Sequence, residues 1–314
     1  MHIEILAPGI LSLIQDAGRF GQHGIGLTSG GPMDPTAFKW ANRLLHNDPH
    51  ATALEVTVGG IKIKSHGRTR VAITGARVGV SINGRAQPQW QSLDLNPGDT
   101  LALAYATEGC RIYLAVAGGF TLAKQFGSNS TVVREGVGGL NGQALRAGDT
   151  LACGGLSGPY PAHQCLPAPL RPHYCDQVTL RVIRGYQQAH FSRREQALFF
   201  QSEFKVGASC DRMGYRLSGP RVRCDMDGIL SEGICLGAIQ VPKDGQPIIL
   251  LNDRQTIGGY PKLGSVLSLD LAKLAQLGPG GRVKFAAITI DDAHNLLALA
   301  QHKFANSQTE SLEA

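Results

Sequence analysis

The stretch from Val71 to Gly84 reads VAITGARVGVSING and holds two short apolar segments that are each bounded by glycine. It ends in an Asn83-Gly84 step, and because both residue types tolerate positive φ, this step predicts a two-residue hairpin turn. Further apolar segments of this kind lie at residues 3–6, 54–58, 61–63 and 112–116. Short strands at such spacing are typical of a β-barrel or a β-sandwich, so we expect a mainly β fold.

The composition agrees with many turns between short strands. The 314 residues include 40 glycines, nearly twice the usual share of about 7%. Because the sequence has no Gly-X-Y period and no Gly/Ser tract, we assign the excess to turns. A chain of this length usually exceeds what one hydrophobic core can serve, and two domains are expected.

Charge and motif content exclude several classes of function. The net charge is +6, but the basic residues are scattered rather than concentrated as in a nucleic-acid site. We therefore expect a mildly basic surface suited to a small anionic substrate or an acidic partner. There is neither a signal-peptide pattern nor an apolar run long enough to cross a bilayer, and cysteine and histidine spacings indicate no metal site. A cytoplasmic protein with reduced thiols and no membrane partner is expected.

Helix signals are few and local. Asp34 followed by Pro35 supplies a cap and a first-turn proline, and Ser192 with Glu195 forms a capping-box pattern. Two further amphipathic segments follow Asp270 and Asp291. These patterns predict short helices between the strands.

The proline-rich and glycine-rich stretch 154–176 is the best linker candidate. It divides the chain into domain 1–153 and domain 177–305, followed by a polar tail at 306–314. Four pairs of identical residues are separated by 177 positions: Asp34 and Asp211, Glu55 and Glu232, Gly60 and Gly237, Arg77 and Arg254. The identities alone are about what chance would supply, but their settings also agree. Glu55 and Glu232 each begin a segment that reaches glycine five places later, and Arg77 and Arg254 each follow an apolar segment. We interpret this pattern as an internal duplication of one β domain.

The densest polar stretch follows the apolar segment 247–250. It carries amide, carboxylate, guanidinium, phenol and ammonium groups, at Asn252, Asp253, Arg254, Gln255, Tyr260 and Lys262. Such a series suggests a lined pocket in which Arg254 holds a planar carboxylate or phosphate. A turn in which Asp253 and Arg254 pair with each other explains the same residues equally well. A second cluster contains Asp211 and Arg212.

Familiar catalytic motifs are missing, but a series of short motifs resembles one family. The sequence has no P-loop and no Gly-x-Ser-x-Gly elbow. It does have QDAGR at 15–19, DRMGY at 211–215 and DRQTIGGYP at 253–261, with further matching segments at 30–34, 114–119, 127–131, 138–142, 240–242 and 245–247. Together, in order and as far as about residue 293, these resemble the biotin-dependent carboxyltransferase family, also called allophanate hydrolase subunit 2 or KipA-like.

The resemblance implies two tandem cyclophilin-like β-barrel domains and a role within a complex. The partners it implies are a KipI-like B subunit and an A subunit of 5-oxoprolinase, which opens 5-oxoproline to glutamate with ATP as co-substrate. We expect the chain alone to be inactive. Within that reaction we expect catalytic roles for Asp253, Lys262 and Glu232, and substrate binding by Arg254, Arg212, Asn252, Gln255, Tyr260 and Asp211.

Two other functions remain open at this stage. One is a carboxyltransferase that acts with carboxybiotin on urea or a related amide. Because the sequence has no biotin-carrier segment, that activity would require a biotinylated partner. The other is a regulatory protein without enzymatic activity that binds and sequesters a KipI-like kinase inhibitor.

Overall fold

The structure, a computed structural model, describes residues 1–154 and 161–312. It divides into two compact units. Unit 1 comprises Met1–Gly21, Ser29–Tyr174 and Ser307–Ala314, and unit 2 comprises Gln22–Thr28 and Cys175–Asn306. The linker at 154–176 stays a prediction, and its residues 155–160 lie outside the described residues.

Unit 1 has two main sheets around one core. Its strands up to residue 165 are β1 (His2–Pro8), β2 (Leu11–Gln15), β3 (Ala53–Thr57), β4 (Ile61–Ser65), β5 (Thr69–Arg77), β6 (Val80–Ile82), β7 (Arg85–Gln87), β8 (Ser92–Leu95), β9 (Thr100–Leu103), β10 (Glu108–Val116), β11 (Thr150–Ala152) and β12 (Gln164–Cys165). One sheet has the order β11-β1-β4-β9-β6-β7 and the other the order β2-β3-β10-β5-β8.

The core of unit 1 follows from the alternation of side chains along these strands. In β4, Ile61 and Ile63 are fully buried whereas Lys62 is exposed, as expected for a strand with one face against a core. The buried apolar side chains of both sheets, such as Ile63 and Val71, belong to a single cluster. Helix α1 (Pro35–Arg43) packs against β5 and β10.

Unit 2 contains a closed seven-stranded barrel. Its strands are β13 (Gln177–Arg184), β14 (Phe204–Cys210), β15 (Gly214–Ser218), β16 (Glu232–Gly233), β17 (Ala238–Gln240), β18 (Ile248–Leu250), β19 (Ile257–Gly258), β20 (Lys262–Val266) and β21 (Arg282–Ile288). The barrel order is β13-β20-β17-β18-β15-β14-β21, and the parallel pair β13 and β21 completes the ring. The short strands β16 and β19 pair separately. The helices of this unit are α2 (Arg193–Gln201), α3 (Ser268–Ala275) and α4 (Ile290–Asn306).

The predicted mainly β fold with few helices and a β-barrel is confirmed. The closed ring is found in unit 2, whereas in the described part of unit 1 the strands form two larger sheets and one two-stranded sheet. Between β7 and β8 the chain turns through Trp90 at φ 63°, and these consecutive strands lie in different sheets. The internal duplication stays a prediction.

The Asn83-Gly84 hairpin is confirmed. Asn83 has φ 51° and Gly84 has φ 79°, and Ile82 on β6 lies opposite Arg85 on β7. Both turn residues therefore adopt the left-handed conformation that a tight hairpin requires. This agreement arises because the turn depends on only two adjacent residues.

The predicted helix starts are largely confirmed. Asp34 accepts a hydrogen bond of 3.0 Å from the Ala37 amide at the start of α1, and Ser192 accepts one of 3.3 Å from the Glu195 amide at the start of α2. Helix α3 begins at Ser268, two residues before the predicted start at Asp270. The Asp270 carboxylate lies in the first turn of this helix and accepts hydrogen bonds from Arg181. None of the helices in the described ranges is both long and apolar enough to span a membrane.

Part of the predicted polar tail at 306–314 is ordered. Residues Glu310–Ser311 form strand β22, which pairs antiparallel with β12. The Leu312 amide also donates a hydrogen bond of 2.7 Å to the His163 carbonyl. Residues 310–312 are thus hydrogen-bonded within unit 1.

Candidate functional site

Lys262 and Glu232 form an ion pair in unit 2. Lys262 begins strand β20 of the barrel, and Glu232 begins the short strand β16, where it lies opposite Gly258 of β19. The Lys262 ammonium donates to Glu232 Oε1. The lysine side chain is 10% exposed and that of Glu232 is 32% exposed, so solvent reaches the pair from the carboxylate side.

Gln187 connects the two members of this pair. Its Nε2 donates a hydrogen bond of 3.0 Å to Glu232 Oε1, and its Oε1 accepts one of 2.7 Å from the Lys262 backbone amide. Gln187 lies in a short 3-10 helix, Tyr186–His190, and is buried. This residue was not predicted from the sequence, because a glutamine between a tyrosine and another glutamine has no distinguishing pattern.

The surroundings keep Glu232 ionised. The bond from Lys262, followed by one from the Tyr186 hydroxyl, lowers the pKa of the Glu232 carboxyl. The same carboxylate raises the pKa of the Tyr186 phenol. Glu232 is therefore an ionised acceptor, able to take a hydrogen bond from a bound molecule.

Asp253 and Arg212 form a second, separate ion pair. Arg212 Nε donates a hydrogen bond of 2.9 Å to Asp253 Oδ2, and Arg212 Nη2 donates one of 2.9 Å to Asp253 Oδ1. The Asp253 amide also donates a hydrogen bond of 2.8 Å to the Arg212 carbonyl, and both side chains are buried. Two parallel charge-assisted bonds hold both groups in fixed positions. Asp253 therefore pairs with Arg212, and not with Arg254 as in the alternative that the sequence left open.

Arg254 is a buried cation held by neutral groups. Its guanidinium donates to the carbonyls of Ile234, at 3.1 Å, and Leu251, at 3.3 Å. Burial lowers the pKa of this guanidinium. It forms no salt bridge within the described residues, and a buried charge without a counter-charge is costly. Arg254 is thus suited to bind an anion.

The other predicted site residues have varied settings. Asp211 accepts hydrogen bonds from the backbone amides of Met213, at 2.8 Å, and Gly214, at 3.2 Å, and so shapes its own turn. Tyr260 is exposed, whereas Asn252 and Gln255 are half-buried. The structure therefore joins Lys262 to Glu232 and Arg212 to Asp253, and gives Asp211 a local structural contact.

Comparisons with known proteins agree with this architecture. The sequence pattern of the family described as "Carboxyltransferase domain, subdomain A and B" matches residues 25–287. The chain is 34% identical over 292 residues to the 5-oxoprolinase C subunit of Escherichia coli, covering 93% of both chains. It is 34% identical over 295 residues to the 5-oxoprolinase C subunit of Haemophilus influenzae, covering 94% of both chains.

A solved structure extends the likeness to a larger enzyme. The crystal structure of the K. lactis urea amidolyase matches 100% of this chain with a TM-score of 0.91 and 30% sequence identity. The present chain corresponds to only 20% of the length of that protein. The family resemblance predicted from the short motifs is confirmed: this chain belongs to the carboxyltransferase domain family, subdomain A and B.

Proposed function

We propose that this chain is the C subunit of an ATP-dependent 5-oxoprolinase, which opens the lactam of 5-oxoproline to L-glutamate together with A and B subunits. The observation that carries this proposal is the extent of the likeness to the E. coli protein that bears this name. Identity of 34% spans 93% of each chain. A likeness of that extent covers both units rather than a single motif.

The chemistry of lactam opening matches the residue types of the predicted site in unit 2. A lactam is an unreactive amide, and phosphorylation of its oxygen would make it a better acyl donor to water. That route needs cations for the carboxylate and phosphate charges and a carboxylate that orients water. We assign the cations to Arg254 and Lys262, and the carboxylate to Glu232.

The remaining predicted residues take supporting or binding roles in this proposal. The Arg212–Asp253 pair fixes the segment that leads to Arg254. Asn252, Gln255 and Tyr260 remain candidate contacts to the substrate. Asp211 shapes the turn between β14 and β15 and acts at a distance from the reacting atoms.

ATP and the partner proteins complete the site. Because the sequence has no P-loop, we assign most of the ATP contacts to a partner. The chain alone is then inactive, and the complex works in the cytosol, where ATP is available.

Exposed apolar side chains near Glu232 support a partner at this position. Leu230 is 95% exposed and lies two residues before β16, and Ile257 is 61% exposed and begins β19, which pairs with β16. Large apolar side chains exposed together on a surface mark interaction sites. We assign this rim to the KipI-like B subunit. Leu230→Asp and Ile257→Asp should weaken co-purification of the B subunit, whereas Ile10→Asp, at an equally exposed position of unit 1, should not.

The proposal is tested by ATP-dependent glutamate release from 5-oxoproline, using this chain with its A and B subunits and omitting each in turn. Activity that is lost without this chain supports the proposal. A mixture that stays inactive while this chain still binds the B subunit tightly contradicts it and favours the regulatory function.

A second candidate function is carboxyl transfer from carboxybiotin to urea or a related amide. It is favoured by the TM-score of 0.91 over 100% of this chain with the structure titled urea carboxylase from Kluyveromyces lactis. Biotin dependence separates the two functions. Activity that requires a biotinylated partner and is abolished by avidin would identify the carboxyltransferase.

A further inference from the structure

Gln240 carries a buried hydrogen-bond donor that has no partner in the described structure. The residue is only 1% exposed, and its Nε2 atom makes no hydrogen bond. An amide nitrogen removed from water without an acceptor is unfavourable, and native proteins contain few of them. Such an atom in a binding region indicates an acceptor that arrives with a ligand.

The strand register places Gln240 beside the Lys262–Glu232 pair. Gln240 on β17 lies directly opposite Lys262 on β20, so their side chains leave the sheet on the same face. A Cβ atom added to Gly258 would lie 2.9 Å from Gln240 Nε2. Gly258 is in turn the ladder partner of Glu232. The strand register and the closeness of Gly258 therefore both place the unpaired donor at the Lys262–Glu232 site.

Glu232 has acceptor capacity beyond its present partners. A carboxylate offers about four acceptor positions. Lys262 and Gln187 both donate to Oε1. Acceptor positions therefore remain for a donor from a bound molecule, on a group whose side chain is 32% exposed.

We infer that Gln240 and Glu232 together recognise the amide edge of the substrate. Gln240 Nε2 donates to the carbonyl oxygen, and Glu232 accepts from the adjacent N–H. A lactam ring forces its amide into the cis arrangement, so that the N–H and the C=O lie side by side on one edge. An open-chain trans amide presents them on opposite sides and fits such a donor–acceptor pair poorly. This inference rests on the proposed function and identifies its substrate class as cis secondary amides.

The test uses Gln240→Met in the complete complex with A and B subunits. Methionine keeps the volume of the side chain and removes the donor, so the variant should melt at or above the wild-type temperature. The KM for 5-oxoproline should rise by about 10-fold or more, because one hydrogen bond to the substrate is lost. A purely structural role for Gln240 would instead lower the melting temperature and leave KM unchanged.

Gln164→Met is the matched control. Gln164 is a buried glutamine of unit 1 whose amide nitrogen is satisfied by Ser311 Oγ at 3.0 Å. This variant should melt at a lower temperature with KM unchanged, the reverse of the result for Gln240→Met.

Gln240→Glu and an N-methylated substrate test the two halves of the donor–acceptor pair. Gln240→Glu keeps the shape and places an acceptor where a donor is needed, so it should raise KM further than methionine does. 5-Oxoproline methylated on nitrogen should be a poor substrate for the wild-type complex, because Glu232 would lose its donor. Unchanged KM for both Gln240 variants in an active complex overturns this inference and leaves the proposed function intact. If the wild-type complex has no 5-oxoprolinase activity, both the proposed function and this inference are wrong.

Discussion

Replacing Asp253 with asparagine tests whether this carboxylate holds the barrel or takes part in the reaction. Arg212 donates two hydrogen bonds of 2.9 Å to it, and the two side chains are only 6% and 8% exposed. Asparagine keeps the size of the side chain but removes its charge, so the buried Arg212 guanidinium would lose the charge of this partner. Breaking a buried ion pair by removal of one partner costs about 3–5 kcal/mol of unfolding free energy.

The cost translates into a measurable loss of thermal stability. In a unit of this size, about 1 kcal/mol shifts the melting temperature by about 2–4 °C, so Asp253→Asn should melt about 10 °C below wild type. Thermal melts followed by circular dichroism provide the measurement. The double variant Arg212→Met with Asp253→Leu should recover about half of the loss or more, since both charges of this pair are then replaced by apolar side chains.

The opposite pattern would refute this reasoning. If Asp253→Asn melts at the wild-type temperature but yields an inactive complex, the carboxylate is catalytic and the ion pair contributes little to stability. If the double variant melts lower than Asp253→Asn, the penalty does not come from breaking this ion pair.

Substitutions at three other positions give further expected outcomes. Lys262→Met should lower kcat of the reconstituted complex by about 100-fold or more, because the cation beside Glu232 is lost. Burial raises the pKa of the Asp270 carboxyl, but bonds from Arg181 and Lys273 outweigh this effect and the net pKa is lowered. The carboxylate therefore stabilises the fold above its unfolded-state pKa of about 3.9, and this contribution is lost as pH falls through the lower folded-state value. In Asp270→Asn, the free energy of unfolding measured in urea should therefore fall less steeply on acidification than in the wild type. Gly84→Ala should cost about 1 kcal/mol, because φ is 79° in open space and only backbone strain is added.

Matched variants give the controls for these predictions. Lys243→Met removes an exposed lysine that pairs with Asp227 at 3.3 Å and should leave kcat unchanged. Gly24→Ala adds a methyl group in open space without a positive φ and should leave the melting temperature unchanged. Full activity of Lys262→Met would contradict its catalytic role. An unchanged acid dependence in Asp270→Asn would show that other groups control the acid transition.

The candidate site could be predicted in part from residue type and order. Lys262, Glu232 and Arg254 stand in polar or glycine-bounded segments, and the family motifs cover most of their neighbours. The sequence could not show that Asp253 binds Arg212, which lies 41 positions away, rather than the adjacent Arg254. It also did not distinguish Gln187 or Gln240 from other glutamines, because their roles depend on partners brought by distant strands.

The sequence by itself determined the features that depend on a few neighbouring residues. The Asn83-Gly84 turn and the caps at Asp34 and Ser192 were predicted because φ preferences and capping bonds act within about four residues. Only the tertiary structure decided which charges meet. Glu232 and Lys262 are 30 positions apart, and Gln187 and the Lys262 amide are 75 apart. The register of the strands around the barrel sets these pairings, and that register depends on the packing of the whole core.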